Sequence, residues 1–232
     1  MNQKKRLVVL SGAGVSAESG IKTFRDSGGL WEGHDVMEVA SPEGWRRNQV
    51  LVQDFYNQRR KQARECLPNA AHLMLAELEE FFEVDIITQN VDDLHERAGS
   101  TMVLHLHGEL SKAQSSVDPA LVYDLDHWEI KAGELCEKGS QLRPHIVWFG
   151  EEVPMMIPAI DLAKKADFFL VIGTSLQVYP AAGLVDYVPN QAEVFLIDPN
   201  GAALSMRKKV RVFSENATSG MENVKAVLMG NL

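Results

Sequence analysis

The sequence predicts a doubly wound α/β protein, and three observations carry that expectation. Several short runs are apolar throughout rather than alternating, as strands covered on both faces should be. Longer amphipathic stretches separate them, and strands interleaved with helices argue for a parallel sheet with helices on both faces. Two regions, 20–48 and 111–142, break the rhythm. Loops this long inside a compact chain are functional or form a small part of their own.

Along the chain, Leu7–Leu10 reads as the first strand, and Leu51–Glu65 as a rather polar helix. Asn69–Phe82 reads as a second helix, with Leu73, Leu75, Ala76, Leu78 and Phe82 as much of its apolar content. Val84–Thr88, Met102–Leu106, Phe168–Ile172 and Val194–Ile197 are the further strands, and Pro158–Lys165 and Ala217–Leu228 the further helices. Open parallel sheets bind ligands beyond the carboxyl ends of their strands. Here those ends carry Ser11-Gly12-Ala13-Gly14, Gln89-Asn90-Val91-Asp92-Asp93, Gly173-Thr174-Ser175 and Asp198-Pro199-Asn200. The convergence of small and hydrogen-bonding groups at several ends marks a ligand crevice.

At 232 residues the chain can form one domain, or one with a sizeable insertion, around a real core. Apolar residues at 45% and charged residues at 24% argue against disorder and fibres. A net charge of -9 argues against nucleic acid as the main partner and reads as solubility. Cys66 and Cys136 make no CxxC pair and no disulfide framework, which suits a reducing compartment. The first apolar run is too short for a signal peptide, and Phe168–Ile172 far too short to span a bilayer. The expectation is a soluble cytoplasmic protein with no membrane or nucleic-acid partner, and a monomer by default.

The stretch SGAGVSAESGIKTFR, Ser11 to Arg25, fits GxGxxA at Gly12, Gly14 and Ala17. Its glycines permit a tight turn and close approach to a pyrophosphate, and the following helix would offer unpaired N–H groups. A purely structural turn explains the same residues equally well. The acidic ribose-binding residue usual about 20 residues on is not clearly present, which strains a dehydrogenase reading. Arg25 would be a further phosphate partner, because a guanidinium forks onto phosphate oxygens, or else an ordinary surface arginine. His105-Leu106-His107-Gly108 ends another strand, where alternation puts both imidazoles on one face. Either suits general-base work, and the spacing does not choose between them. A zinc-ligand pair stays open too, although no cysteine or third histidine lies close.

Five motifs in order, GAGVSAESGIKTFR, TQNVDDLHERAG, HLHGEL, RPHIVWFGE and GTSLQVYPAAG, resemble those of the sirtuins, which are NAD-dependent protein lysine deacylases. The resemblance runs from about Leu7 to Pro199 and is weakest over 111–142. It implies one catalytic domain, with a Rossmann-like large part at about 1–30, 66–110 and 143–232 and a small inserted part at about 31–65 and 111–142. It implies NAD as cofactor and acylated-lysine proteins or peptides as substrates. In the family's mechanism the acyl-lysine carbonyl oxygen attacks the nicotinamide ribose, and nicotinamide leaves. A general base then activates a ribose hydroxyl, and the products are free lysine and O-acyl-ADP-ribose.

The resemblance gives the base's role to His107. It puts Asn90 and Asp92 at the ribose and the nicotinamide carboxamide, with Gln89 on the ribose. Gly12, Ala13, Gly14, Ala17, Phe24, Arg25 and Trp31 would belong to the NAD loop, with Phe24 covering the sugar face. Gly173, Thr174 and Ser175 would line the phosphate or adenosine-ribose side; Asn200 sits on a differently worded segment, and Ala217 would approach the adenine. Val147–Glu151, including Phe149 and Gly150, resembles the strand that pairs with substrate backbone.

Most sirtuins carry four zinc-binding cysteines between the HGEL and VWFGE motifs. Here that interval holds Cys136 alone, with Ser115 and Ser116 near the expected first pair. Serine does not replace a zinc thiolate, so no zinc is expected. Packing of Leu121, Val122, Tyr123, Leu125, Trp128 and Leu135 would hold the small part instead. Tyr56 and Arg59 lie at i, i+3 on one helix face, and a phenol beside a guanidinium makes a carboxylate site. That spacing, with the small Ala40, resembles the sirtuin branch that prefers succinyl-, malonyl- or glutaryl-lysine. The expected activity is removal of succinyl or malonyl groups, and of acetyl more weakly. Plain deacetylation, and NAD or ADP-ribose sensing without turnover, are the alternatives.

Overall fold

A computed structural model describes residues 4–22, 30–31, 33–201 and 209–230 of the chain. In order, the elements are β1 (Arg6–Ser11), α1 (Gly14–Ala17), β2 (Leu30–Trp31), β3 (His34–Asp35), α2 (Val36–Val39), α3 (Pro42–Arg47), α4 (Gln49–Glu65) and α5 (Ala70–Glu77). Then come β4 (Glu83–Thr88), α6 (Leu94–Arg97), β5 (Val103–His105), β6 (Gly108–Ser115), β7 (Val122–Asp124), β8 (Leu142–Ile146) and α7 (Met156–Ala163). The chain closes with β9 (Phe168–Ile172), β10 (Glu193–Ile197), β11 (Val210–Phe213) and α8 (Ala217–Met229).

The apolar runs form β1, β4, β5, β9 and β10, all parallel, in the sheet order β11-β10-β9-β1-β4-β5. Successive side chains of a strand point to opposite faces. Leu7, Val9, Ile86, Leu170 and Phe195 therefore share a core with Leu75 of α5 and Met221 of α8. Val8, Leu10, Ile87, Val171 and Leu196 share another with Ala159 of α7 and Leu184 of the 3-10 turn Ala181–Tyr187. Cover on both faces is what makes these runs apolar at every position. β11 is legible to no such test, because it lies at the sheet edge with Arg211 and Val212 exposed. The chain runs from β1 to β4 and β5 on one side, and to β9, β10 and β11 on the other. This switch opens a crevice beyond the carboxyl ends of β1 and β9.

α5 starts where Asn69 Oδ1 accepts from Ala71 N (3.0 Å) and His72 Nδ1 accepts from Asn69 N (3.3 Å), a reciprocal cap. It ends at Glu77 in a 3-10 turn, short of the expected Phe82. Ala71, Leu75, Leu78 and Phe82 form its buried stripe, while Leu73, two residues off that stripe, is 46% exposed.

Residues 111–142 are not strand-poor, as their polarity suggested. β6 pairs antiparallel with β7 and β8, so this sheet crosses both expected boundaries of the small part. Its apolar centre is Ala113, Ile130, Cys136 and Leu142, with Tyr123 and Leu125 packed against it. Val122 and Leu135, expected inside, are largely exposed. So small a core needs other anchors, and buried polar groups of α4 supply them. Asn57 donates to Ile130 O (3.1 Å) and accepts from Ile130 N (2.9 Å), and Gln53 donates to Leu142 O (2.9 Å). Arg60 donates to Leu110 O and to Trp128 O (2.8 Å), and burial lowers its pKa to about 10. Further out, Cys136 Sγ donates to Ser115 Oγ (3.3 Å), Ser115 and Ser140 hydroxyls share a 3.0 Å bond, and Lys138 pairs with Asp118 at 2.7 Å.

Candidate active site

The loop after β1 is locked onto the loop after β9. Gly12 N donates to Ile172 O (3.0 Å), Gly14 N to Gly173 O (2.8 Å) and Gly173 N to Ile197 O (3.0 Å). Gly173 has φ +67°, and a Cβ there would lie 2.2 Å from Val15 N. Left-handed strain and a backbone clash together put the loss for Gly173→Ala at about 3 kcal/mol. That is a melting temperature lower by roughly 10 °C. Gly139 has φ +71° with nothing within 4 Å, so Gly139→Ala should lose only the strain, about 1 kcal/mol. Thermal melts compare the two, and equal losses would contradict the close approach.

The amides after β1 are not free, contrary to what the GxGxxA pattern implies. The helix after GxGxxA is a single turn, and its amides are already paired: Val15 N donates to Gly12 O (3.0 Å) and Ser16 N to Ala13 O (3.1 Å). With Gly12 N and Gly14 N bonded to the neighbouring loop, this segment offers no row of free N–H groups to a pyrophosphate. Ala17 is exposed, and Phe24 and Arg25 lie outside the described residues.

Beyond β4, Gln89 Nε2 donates to Thr174 Oγ1 (3.2 Å), which ties the β4 end to the β9 end. Asn90 Nδ2 donates to Ser16 Oγ (3.1 Å), and Ser16 Oγ donates to Asp92 Oδ1 (3.4 Å), which also accepts from Leu94 N (3.3 Å). Burial raises the Asp92 carboxyl above the usual carboxylate range. Beneath this row lie two buried histidines, ring centroids 4.9 Å apart. His95 Nε2 meets Ser11 Oγ at 2.9 Å; that hydroxyl donates to Thr88 Oγ1 (2.8 Å), which also accepts from Asn90 N (3.0 Å). Burial lowers His72 to about 4 and His95 well below its ordinary value, so both stay neutral props. Ser16, His72 and His95 were not singled out in the sequence, although Ser16 and His95 sit inside two quoted motifs.

The packing separates the two histidines that spacing left equivalent. His105 is engaged at both ring nitrogens, by Asn90 O (3.0 Å) and by Glu96 Oε1 (2.7 Å). Burial opposes its charged form, but the Glu96 carboxylate outweighs that and raises its pKa. His107 Nδ1 sits 3.1 Å from Gln89 O, which can only accept, so Nδ1 carries the proton. Its Nε2 has no hydrogen-bond partner among the described residues and is left as a base. Burial depresses the His107 pKa below 6.5, against the smaller pull of the Gln89 carbonyl. The depressed pKa keeps the basic form populated to more acid pH. The acid limb of kcat/KM is therefore expected below pH 6.5, and a limb above it would remove His107 as the titrating base.

α4 carries the other wall. Tyr56 and Arg59 are both buried, with the guanidinium 4.4 Å from the Trp31 ring centroid and Tyr56 edge-on to Trp31 at 6.3 Å. Ala40 is buried in the same cluster, and its carbonyl accepts from Phe149 N (3.0 Å). Val147–Glu151 is not a strand: β8 stops at Ile146, and Glu151 N turns back onto Trp148 O (3.0 Å). Glu151 points inward to Arg143 and to Trp148 N (2.8 Å), which accounts for the turn. Ser175 is partly buried after Gly173; Asn200 is exposed with its N–H on Asp198 Oδ1 (2.9 Å), and Ala217 is buried in the core at the start of α8.

The Sir2 family pattern matches residues 12–180. The chain belongs to the Sir2 family. This sirtuin is 56% identical, over 97% of its length, to the NAD-dependent protein deacylase of Helicobacter pylori (strain J99 / ATCC 700824), of which it covers 96%. It is similar to a crystal structure of a Sir2 homologue–NAD complex at 36% identity and TM-score 0.87, covering 98% of this chain and 91% of that one. A mutant Sir2 homologue bound to 2'-O-acetyl ADP-ribose matches at the same identity and TM-score, over 99% and 94% of the two chains. The sirtuin's fold is thus the mixed α/β, Rossmann-like one with a six-stranded parallel sheet.

The donor set of the crevice fits NAD. Asp92 Oδ2, Asn90 Oδ1 and His107 Nε2 lack protein donors among the described residues, and a dinucleotide brings ribose hydroxyls and a carboxamide to them. The family's structural zinc does not fit. Ser115, Cys136 and Ser140 offer one thiol and two hydroxyls, and Asp118 is turned onto Lys138. Among the described residues no group of three His, Cys, Asp or Glu side chains could hold a metal ion. No described helix is long and apolar enough to cross a membrane.

Proposed function

We propose that this sirtuin is an NAD-dependent protein lysine deacylase that removes succinyl and malonyl groups in preference to acetyl. The single observation that supports the acyl preference is the buried pairing of Tyr56 and Arg59 on α4, beside Trp31 and the small Ala40. A carboxylate between phenol and guanidinium makes charge-assisted hydrogen bonds that an acetyl methyl cannot make. Discrimination of about 1–3 kcal/mol follows.

NAD, when bound, supplies a ribose carbon made electrophilic by its pyridinium leaving group. The chain's residues do the rest. Asn90, Asp92 and Gln89 hold ribose and carboxamide, and Thr174 and Ser175 take the phosphate and adenosine side. His107 Nε2 removes a proton from a ribose hydroxyl, with Nδ1–H held on Gln89 O. Backbone groups of Val147–Glu151 take the substrate main chain. Both cysteines are free thiols, in keeping with a cytoplasmic setting.

The test is peptide-dependent nicotinamide release from NAD, followed by chromatography with matched acetyl-, malonyl- and succinyl-lysine peptides. Faster release with the acidic acyl groups is expected. No release with any of the three peptides would overturn the enzyme reading, and equal rates for acetyl and succinyl would overturn the preference. The proposal includes a zinc-free protein, so metal analysis should find no stoichiometric zinc and a chelator should leave the melting temperature unchanged.

A further inference from the structure

The indole of Trp148 stands behind the Tyr56 hydroxyl, with Nε1 donating to the phenol oxygen at 3.1 Å. An indole N–H can only donate, so the phenol oxygen must be the acceptor, and its own proton is left to be used elsewhere. Tyr56 is fully buried, and that proton has no acceptor among the described residues. A buried donor without an acceptor is costly, and it calls for an acceptor that arrives with a ligand. Burial also keeps the phenol protonated, by raising its pKa far above neutrality.

Trp148 is itself held unusually firmly. The Arg143 guanidinium lies 3.6 Å from its ring centroid, and Trp45 packs at 5.8 Å. Arg143 in turn grips Glu151 through both carboxylate oxygens, at 2.9 and 3.0 Å, and Glu151 accepts from the Trp148 backbone N–H at 2.8 Å. Neither ring nor backbone of Trp148 is free to swing, so the direction of its N–H is set in advance.

We propose that Trp148 is a positioning residue for acyl selectivity: its N–H occupies one side of the Tyr56 oxygen and so turns the phenolic proton toward the carboxylate of an acidic acyl chain. The inference rests on the reading of Tyr56 and Arg59 as the acyl-carboxylate site. Without the indole donor the hydroxyl gains another orientation, in which it no longer donates into the pocket.

Two replacements remove the donor and keep an aromatic body: Trp148→Phe, and Trp148 exchanged for benzothienylalanine, in which sulfur stands for the N–H. The readout is the ratio of succinyl-peptide to acetyl-peptide kcat/KM, with KM and kcat measured separately. Both replacements should lower that ratio about tenfold, mainly through KM for the succinyl peptide. On a Tyr56→Phe background neither should lower it further, because there is no hydroxyl left to aim; a merely structural role of Trp148 would not show that dependence. If Trp148→Phe also loses acetyl turnover, the benzothienyl isostere decides. A ratio unchanged in the isostere, while Tyr56→Phe and Arg59→Met do lower it, overturns the positioning role and leaves the carboxylate site standing. A ratio unchanged in Tyr56→Phe and Arg59→Met overturns the carboxylate site itself.

Discussion

Replacing His107 by alanine should abolish turnover while NAD still binds. The effect is expected to be large because no second base is in place. His105, its neighbour two residues away, is occupied at both nitrogens by Asn90 O and Glu96. His72 and His95 are buried beneath the loops, and His95 meets the Ser11 hydroxyl. A positioned general base is worth about 10²–10⁴ in rate, or about 3–5 kcal/mol. Nicotinamide release reads the loss, and calorimetric titration with NAD reads the retained binding. Turnover within a few fold of the parent would take His107 out of the mechanism, whatever its tautomer.

Arg59→Met should remove most desuccinylation and spare most deacetylation. Methionine keeps an apolar stem against Trp31 and Phe55, which lie 4.4 and 5.8 Å from the guanidinium carbon, and deletes only the charge and its donors. A lost charged hydrogen bond costs about 1.5–3 kcal/mol, so the succinyl peptide should slow by about 10- to 150-fold. The acetyl peptide has no carboxylate to lose. Equal losses on both peptides would mean that Arg59 supports the packing of α4 and not the acyl chain.

Much of this protein was readable residue by residue. β1, β4, β9 and β10 were found because cover on both faces demands apolar side chains at every position, a demand visible in the run itself. The start of α5 at Asn69 was found too; Asn69 is its cap, and cap chemistry acts over three or four positions. The polar strands β6 and β7 escaped because their apolar faces are small and because β8, the second partner of β6, lies far along the chain. Val122 and Leu135 were placed inside by hydropathy, yet the hydrogen bonds from Asn57, Gln53 and Arg60 carry that region.

Composition and short spacing sufficed for all of the sheet except β11, for the crevice at its carboxyl ends, and for the set of polar residues gathered there. Which imidazole keeps a ring nitrogen open, whether the GxGxxA amides are free, and which group bonds the Tyr56 oxygen were decided by packing. His107 is set apart by the carbonyl of Gln89 and His105 by the carboxylate of Glu96, while the β1 amides are taken by the β9 loop and the Tyr56 oxygen by Trp148. The reason is range and direction. Burial of apolar surface is non-directional and rewards the composition of a run. A hydrogen bond needs its partner within about 3 Å and well aligned, and here those partners arrive from segments that only folding brings together.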